Sequence, residues 1–368
     1  MKVPFLDLRP SSHDEKISLL RSIEIVIDHG KFILGPEVRE FEFAISNYVD
    51  RKYAIGVSSG TDALILAMRA LNIGIGDEVI VPCLCWVAVI NAVIAVGAKP
   101  VFAEVLYDLN LSPKSIVQKI SDRTKAVIAV HSSGRMCDIR EISEICRLRN
   151  LFLIEDGSQS FGAKRDKVQC GSTGIVSCFS MNPMKILGGF GEAGVILTNE
   201  ENIYKKILIL RNQGMIDRDR CEIPSSNMRL DTIQAAILLN KLKNSEKKIL
   251  DRRKLADYYN KRLRNYVFTP SDPDGGRHVY FVYTIQSENR NELEKYLFDQ
   301  GIETRVRDKI LLPKHNAFKH FSNEEYAASK LVADKMISLP FYETMSYSQI
   351  DYVCDRITNY FSFTANKK

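Results

Sequence analysis

Short apolar runs alternate with amphipathic runs through the first half of the chain. The runs YAIGV, EVIVP and KAVIAVH are rich in β-branched residues, and a segment of helical character follows each of them. Regular alternation of strands with helices is typical of βαβ units. After KAVIAVH, the residues Ile139, Ile142 and Cys146 recur at three- and four-residue steps, as in a helix packed on a sheet. The pattern therefore predicts an α/β fold with a mostly parallel sheet.

The pattern changes in the second half of the chain. A long helical run, TIQAAILLNKLKNSEKKILDRRKLADYYNKRL, ends at the Pro- and Gly-rich segment TPSDPDGGRH. Beyond that segment HVYFVYTI predicts a strand, and ELEKYLFDQGI and SQIDYVCDRI predict helices. Because 368 residues exceed what one core usually organises, we expect a large domain over residues 1–250 and a small α+β domain over residues 251–368.

Charge and composition narrow the function classes. The net charge of +6 is mild, and the Lys/Arg clusters are interleaved with apolar residues as on a solvated helix face, so we expect no nucleic-acid partner. The most apolar stretch, WVAVINAVIAVGA, is shorter than the ~20 residues of a membrane-spanning helix. The eight cysteines lack the paired spacing of a structural zinc site. We expect a cytoplasmic protein with reduced, mostly buried thiols, no metal and no membrane segment.

Polar residues that follow the apolar runs are the first candidates for chemistry, because open α/β sheets bind ligands at the carboxyl ends of their strands. Gly60 and Thr61 follow YAIGV and open a helix, whose free backbone N–H groups suit a phosphate. On that segment alone, a simple Ser/Thr helix cap is the better explanation. Trp86, the only tryptophan, follows EVIVP and could stack on a flat heteroaromatic ring. On its own, a buried core tryptophan would be the better explanation.

Two acids and one lysine are further candidates, because they follow apolar runs that come later in the chain. Glu155 and Asp156 end LFLIED, and strand alternation directs them to opposite sides, so only one can face the ligand edge. A buried carboxylate needs a partner, which a pyridinium N–H would supply; a cap for the following segment is the alternative. Lys185 lies behind Pro183 and ahead of a double glycine. A surface-loop lysine is the common case, but near an apolar strand end a lowered pKa would make the amine a Schiff-base nucleophile.

Five segments, in this order, resemble the DegT/DnrJ/EryC1/StrS family of sugar aminotransferases, which depend on pyridoxal 5'-phosphate (PLP). They are SSGTDALILAMRALNIGIGDEVIVP, IEDGSQSFGA, CFSMNPMKILGGFGEAG, SSNMRLDTIQAAIL and SLPFYETMSYSQIDYV. The similarity extends in order along nearly the whole chain. The resemblance implies an aspartate-aminotransferase-like fold (PLP fold type I) with a mixed, mostly parallel sheet. It also implies a homodimer whose two active sites lie at the subunit interface.

The resemblance further implies a role for each site residue. Lys185 would hold PLP as a Schiff base and then carry the proton between Cα and C4′, and Asp156 would pair with the protonated ring nitrogen. The remaining cofactor contacts would be Gln159 at the O3′ side, Trp86 on the ring, Gly60, Thr61 and Ser180 at the phosphate, and Asn227 at the phosphate of the neighbouring subunit. Arg229 and His315 are the candidate substrate contacts.

The function implied is transfer of an amino group from L-glutamate to the keto group of a nucleotide-linked deoxysugar. The product would serve amino-sugar biosynthesis for a surface polysaccharide or a glycoside. An aminotransferase acting on a cyclitol ketone or a sugar phosphate is the close alternative. The alternative from another class is a non-catalytic PLP-binding regulator, which would need an added DNA-binding module.

Overall fold

The computed structural model describes residues 1–273 and 275–365, which form eleven strands and twelve α-helices. Strands β1 to β11 span Tyr53–Val57, Glu78–Pro82, Lys99–Ala103, Thr124–Val130, Phe152–Asp156, Lys164–Arg165, Val168–Gln169, Val176–Ser180, Gly194–Thr198, Tyr283–Gln286 and Met336–Leu339. Helices α1 to α12 span His13–His29, Pro36–Val49, Gly60–Ala70, Ala88–Ala95, Pro113–Lys119, Ile139–Leu148, Glu201–Arg211, Thr232–Leu242, Ser245–Leu263, Arg290–Asp299, Ala327–Lys335 and Tyr347–Ala365.

Seven strands form one sheet in the order β1-β9-β8-β5-β4-β2-β3. Strand β9 is antiparallel to both of its neighbours, and the remaining pairs are parallel. Helices cover the sheet, so β2 and β9 are buried along their whole length and read as continuous apolar runs. The predicted α/β class with a mixed, mostly parallel sheet is therefore confirmed.

The helix after β4 shows how the apolar pattern selects the packed face. Ile139, Ile142 and Cys146 of α6 are buried against the sheet, as their spacing predicts. Asp138 caps this helix by accepting a hydrogen bond from the backbone N–H of Glu141. Helix α5 also begins with a side-chain cap. The Ser112 side chain accepts a hydrogen bond from the backbone N–H of Ser115, and Pro113 occupies the first turn.

A separate apolar core lies in the C-terminal part of the chain. It is built from α9, α10 and α12 and from the two-stranded sheet of β10 and β11. Val3, near the start of the chain, also belongs to this core and pairs with Ile302. Residue 250 lies inside α9, so the predicted domain boundary falls within a continuous helix. The division at this residue stays a prediction.

Two predicted elements differ from the structure. The long helical run is broken into α8 and α9 at Lys243 and Asn244, where the N–H of Asn244 turns back to the carbonyl of Lys241. The run HVYFVYTI is a strand only over its last residues, in β10. Its earlier carbonyls are not free for a sheet, because the Arg252 guanidinium bonds those of Tyr280 and Phe281.

The helices and the cysteines can be compared with what the composition indicates. No helix within residues 1–273 and 275–365 combines the length and the apolarity needed to cross a membrane. In the described chain all eight cysteines are free, seven of them buried and Cys221 exposed. The burial of most thiols is therefore as predicted.

Candidate active site

The candidate phosphate residues meet where β1 and β8 end. Gly60, the first residue of α3, packs directly on Ser180, the last residue of β8; a Cβ atom added at Gly60 would lie 2.5 Å from that of Ser180. Only glycine fits this close approach. The backbone N–H of Ser180 donates to Oγ of Ser158, at 2.9 Å. The end of β8, the start of α3 and the loop after β5 thus form one surface.

The first turn of α3 offers unused donors. Ser59 caps the helix, since its side chain accepts from the N–H of Asp62 at 3.0 Å. The capping explanation is therefore correct for Ser59. Within the described residues, however, the N–H groups of Gly60 and Thr61 have no hydrogen-bond acceptor. Free N–H groups at a helix N-terminus favour an anion such as a phosphate.

The two acids at the end of β5 have different environments. Glu155 is fully buried, 3.0 Å from Nε2 of His131, and its carboxylate accepts from backbone N–H groups of the loop 171–174. Burial alone would raise the pKa of Glu155, but the hydrogen bonds from His131 and from this loop outweigh burial and lower the pKa to about 2. Glu155 is therefore an anchor of the fold, and Asp156 is left as the candidate for contact with a ligand.

Asp156 is 6% exposed and only half satisfied. Its Oδ1 accepts from the N–H of Ser158 at 2.9 Å, whereas Oδ2 has no hydrogen bond among the described residues. The helix-cap alternative is wrong for this acid, because the next helix along the chain, α7, begins only at Glu201. The free oxygen is available to a ligand N–H.

Gln159 lies beside Asp156 on the same loop. It is 7% exposed, and its Oε1 accepts from the backbone N–H of Ser133 at 3.0 Å. This bond orients the amide so that its NH₂ group remains as a donor. A ligand oxygen next to the loop would be bonded by that group.

Lys185 follows β8 and carries an amine suited to nucleophilic chemistry. Its Nζ lies 4.7 Å from the ring centre of Phe281. Burial and then the positive charge of Arg307 lower the pKa of Lys185 to about 8, against the opposing charges of Asp156 and Asp308. A larger share of the amine is neutral than in an exposed lysine, so it can attack a carbonyl carbon.

A second lysine shares the cavity in front of Lys185. Burial and the nearby Lys248 lower the pKa of Lys241, on α8, to about 8 as well. Its Nζ, however, donates to the carbonyl of Gly188 at 2.7 Å and lies over the ring of Phe190. A low pKa therefore does not by itself identify the reactive lysine. Lys185 differs because the charge of Asp156 acts on it.

The remaining predicted residues lie outside this cluster of contacts. Trp86 is 60% exposed, so the alternative of a buried core tryptophan is wrong. Asn227 is exposed, and Arg229 donates to Oδ1 of Asn212 at 2.9 Å. Nε2 of His315 lies 3.2 Å from the carbonyl of Ile310. The roles of Trp86, Asn227, Arg229 and His315 stay predictions.

The structure adds neighbours that the sequence did not indicate. Phe281, Arg307 and Asp308 approach Lys185 from the C-terminal part of the chain. They come from the irregular segments around β10 and after α10, where no periodic pattern marks an inward-facing side chain. A charged pair in the otherwise mixed run TRVRDKI was the one available signal.

Three fully buried side chains next to β5 could hold a metal ion by their spacing. The ligand atoms of His131, Glu155 and Cys170 lie within 4.8 Å of one another. Hydrogen bonds already account for this contact, since His131 bonds Glu155 through Nε2 and approaches Sγ of Cys137, at 3.2 Å, through Nδ1. The expectation of no metal stays a prediction.

The cluster fits PLP group by group. The free N–H groups of α3 suit its phosphate, the unbonded Oδ2 of Asp156 suits the ring N–H, and the amide of Gln159 suits the phenolic oxygen. The amine of Lys185 suits the aldehyde carbon. When bound, PLP supplies a ring that delocalises the electron pair left on the substrate carbon.

The buried carboxylate gives the first testable prediction. Replacing Glu155 by Gln should lower the free energy of unfolding at pH 7 by about 3–5 kcal/mol, because His131 and the loop 171–174 lose their charged partner. The folded-state pKa of Glu155 lies below its ordinary value of 4.5. Its charge therefore stabilises the fold above that value, and the contribution disappears as the pH falls towards about 2. Urea unfolding between pH 3 and pH 7 measures both effects.

Two variants serve as controls for this measurement. Asp156→Asn removes an acid with a single hydrogen bond, and Glu144→Gln removes an exposed acid paired with Arg147. Asp156→Asn should change the free energy of unfolding by about 1 kcal/mol or less, and Glu144→Gln should leave it at the wild-type value. A Glu155→Gln protein as stable as these two at pH 7 would contradict the anchoring role.

Comparison with known proteins agrees with the geometry. Residues 13–358 match the DegT/DnrJ/EryC1/StrS aminotransferase family. The chain is 35% identical to dTDP-3-amino-3,6-dideoxy-alpha-D-galactopyranose transaminase of Aneurinibacillus thermoaerophilus, over 97% of this chain and 99% of that protein. It is 34% identical to UDP-2-acetamido-2-deoxy-3-oxo-D-glucuronate aminotransferase of Pseudomonas aeruginosa, over 97% of this chain and 100% of that protein.

A solved structure with the same fold is that of S. venezuelae DesV in complex with a ketimine intermediate. The TM-score is 0.95 at 32% identity, covering 98% of both chains. The family match covers nearly the whole sequence, and the structural similarity covers nearly the whole fold, so the resemblance is not limited to single motifs. The chain therefore belongs to the DegT/DnrJ/EryC1/StrS aminotransferase family and is a PLP-dependent aminotransferase of the aspartate-aminotransferase-like fold.

Proposed function

We propose that this aminotransferase moves the amino group of L-glutamate to the keto group of a nucleotide-linked deoxysugar. The observation that carries the proposal is the pairing of a low-pKa amine, Lys185, with a half-satisfied carboxylate, Asp156, at the ends of neighbouring strands. The sugar acceptor is supported by the two relatives described above, whose names identify aminotransferases of dTDP- and UDP-linked sugars. The product would enter amino-sugar and polysaccharide or glycoside biosynthesis.

Each residue of the cluster has a distinct part in this reaction. Lys185 would hold the cofactor through its amine and would also move the proton at the substrate carbon. Asp156 would accept a hydrogen bond from the ring N–H through its unbonded Oδ2 and so hold the proton there. Gly60, Thr61 and Ser180 would hold the phosphate, and the amide NH₂ of Gln159 would donate to the phenolic oxygen. Neutral Lys185 is the form that both tasks need, and the pKa near 8 makes it accessible at neutral pH.

A homodimer with shared sites is part of the proposal. Trp86 is 60% exposed in the single chain, which is unusual for a large aromatic side chain. Helix α1 exposes a row of further apolar residues, namely Ile17, Leu20, Ile25 and Ile27. The same helix lines a surface cavity together with the exposed side chains of Met184 and Phe190. A partner subunit that covers these exposed apolar side chains would remove them from water.

We place the reaction in the cytoplasm. All eight cysteines of the described chain are free thiols, as expected where the surroundings are reducing. Nucleotide-linked sugars and glutamate would be the small-molecule partners there. Fractionation of cells expressing the protein, followed by detection with an antibody, tests the location.

The acceptor class is tested with enzyme converted to its pyridoxamine form. We expect a 3- or 4-keto-deoxysugar linked to dTDP or UDP to be aminated, with the product identified by mass, and L-glutamate to restore the starting form. A keto-cyclitol and a keto-sugar phosphate are the matched competitors. Faster amination of either competitor than of every nucleotide-linked sugar would replace the proposed acceptor by that class.

The reactive lysine is identified by borohydride reduction and peptide mass analysis. We expect the pyridoxyl group on Lys185, and no stable adduct in a folded Lys185→Ala protein, because Lys185 is the lysine on which the charge of Asp156 acts. Lys241→Ala is the matched control, since the pKa of Lys241 is also lowered to about 8 in the same cavity. A label on Lys241, or one that persists in Lys185→Ala, would show that the wrong lysine has been chosen.

The shared site is tested by mixing two inactive proteins. In a heterodimer of Lys185→Ala with Asn227→Ala, one site carries both defects and the other carries neither. Each heterodimer should recover up to half of the active sites of a wild-type dimer, provided that the subunits exchange. The measurement requires Asn227→Ala alone to be clearly impaired. If verified exchange restores no activity, Asn227 acts within its own subunit and the interfacial arrangement is abandoned.

A further inference from the structure

Two cationic side chains share one aromatic ring at the candidate site. The guanidinium carbon of Arg307 lies 4.9 Å from the ring centre of Phe281, and Nζ of Lys185 lies 4.7 Å from the same centre. Each interaction with the ring is favourable, but the two charges repel each other. Burial and the nearby charge of Arg307 lower the pKa of Lys185, and burial lowers the pKa of Arg307 itself. The arrangement concentrates positive charge where the substrate must react.

Arg307 is not satisfied by its own chain. Its Nη1 is buried and has no hydrogen-bond partner among the described residues. Asp308 is its sequence neighbour, yet the two side chains form no ion pair within the part of the chain that the structure describes. An unpaired buried guanidinium nitrogen is costly, and a native protein retains one where something else supplies the acceptor.

Arg252 shows what a structural arginine looks like in this protein. It also stacks on an aromatic ring, with its guanidinium carbon 4.7 Å from the ring centre of Phe341. Its Nε and Nη2 donate to the carbonyls of Tyr280 and Phe281, so it ties an irregular segment together. Arg307 has the same kind of ring contact without the carbonyl partners. The difference indicates that a ligand completes the Arg307 site.

The cavity next to Arg307 connects it to the candidate cofactor residues. Arg307 and Asp308 line this cavity together with Gln159 and Ser133, which are joined by the hydrogen bond described above. Gln159 is the proposed contact for the phenolic oxygen of PLP, close to the carbon that Lys185 bonds. A group bound by Arg307 here would therefore be attached at or near the reacting carbon of the substrate.

We propose that Arg307 binds a carboxylate group carried by the reacting substrate and holds it beside the amine of Lys185. This inference rests on the proposed function. A planar guanidinium matches a carboxylate with two parallel hydrogen bonds, and the negative charge relieves the repulsion between the two cations. The carboxylate can come from the amino donor, where it is bonded to the reacting carbon, or from a uronic-acid ring of the acceptor.

The inference is tested by calorimetric titration of the PLP-loaded enzyme with three unreactive probes. Glutarate represents the amino donor, UDP-glucuronate represents an acidic sugar, and UDP-glucose is the neutral counterpart of the latter. Arg307→Gln should weaken binding of one carboxylate probe about 10- to 100-fold, as expected for a lost charge-assisted pair, and leave UDP-glucose unchanged. Arg307→Lys keeps the positive charge but cannot make the two parallel hydrogen bonds, so it should weaken binding of the same probe by an intermediate factor.

Arg305→Gln is the matched control, because Arg305 is two positions away, exposed, and stacked on Phe5 instead of Phe281. It should bind all three probes as the wild type does. Weakened glutarate binding alone assigns the carboxylate to the amino donor, and weakened UDP-glucuronate binding alone assigns it to the sugar. Unchanged binding of both acids, or an equal loss for UDP-glucose, would overturn the inference. Because no turnover is measured, a wrong acceptor class in the proposed function would not produce either result.

Discussion

Glu155 has to remain ionised inside the sheet, and the surrounding chain is arranged to make that possible. The loop 171–174 turns its N–H groups onto the carboxylate, and His131 completes the set. Arg51, which lies between α2 and β1, donates to the carbonyl of Gly171 at 2.8 Å. These bonds fix the end of β5 against β8. Since the two acids alternate along one strand, holding Glu155 on one side determines where Asp156 points.

The candidate site differs from the surroundings of Glu155, because several of its strong hydrogen-bonding groups have no partner among the described residues. One oxygen of Asp156, the first N–H groups of α3 and Nη1 of Arg307 are all left open in the described chain. Such groups lower the stability of the empty protein and are retained where a ligand completes them. The well-satisfied core around Glu155 offsets this cost. Binding of cofactor and substrate should accordingly stabilise the fold as well as start the chemistry.

Much of this site could be predicted because its residues follow strands. Because Glu155, Asp156 and Lys185 all follow predicted strands, they could be expected near one edge of the sheet, and the resemblance to the family then selected Asp156. The sequence could not show that Glu155 is the anchor, since its partners come from a loop without periodicity. Arg307 was missed for a related reason: its segment is irregular, and its contact with Phe281 joins two parts of the chain that no local pattern links. The break between α8 and α9 was hidden because helical composition continues across Asn244.

The attachment of Val3 to the C-terminal core has a consequence for the order in which the chain folds. Val3 donates to the carbonyl of Gly301 and accepts from the N–H of Glu303, while the N–H of Phe5 donates to the Glu303 carboxylate, 298 positions away. During synthesis the first residues leave the ribosome long before their partners exist. The central sheet can form from residues already made, but the smaller core cannot close until translation is almost complete. A C-terminal fragment that begins within α9 would lack this N-terminal segment, so the smaller core needs both ends of the chain although it is separate from the core of the central sheet.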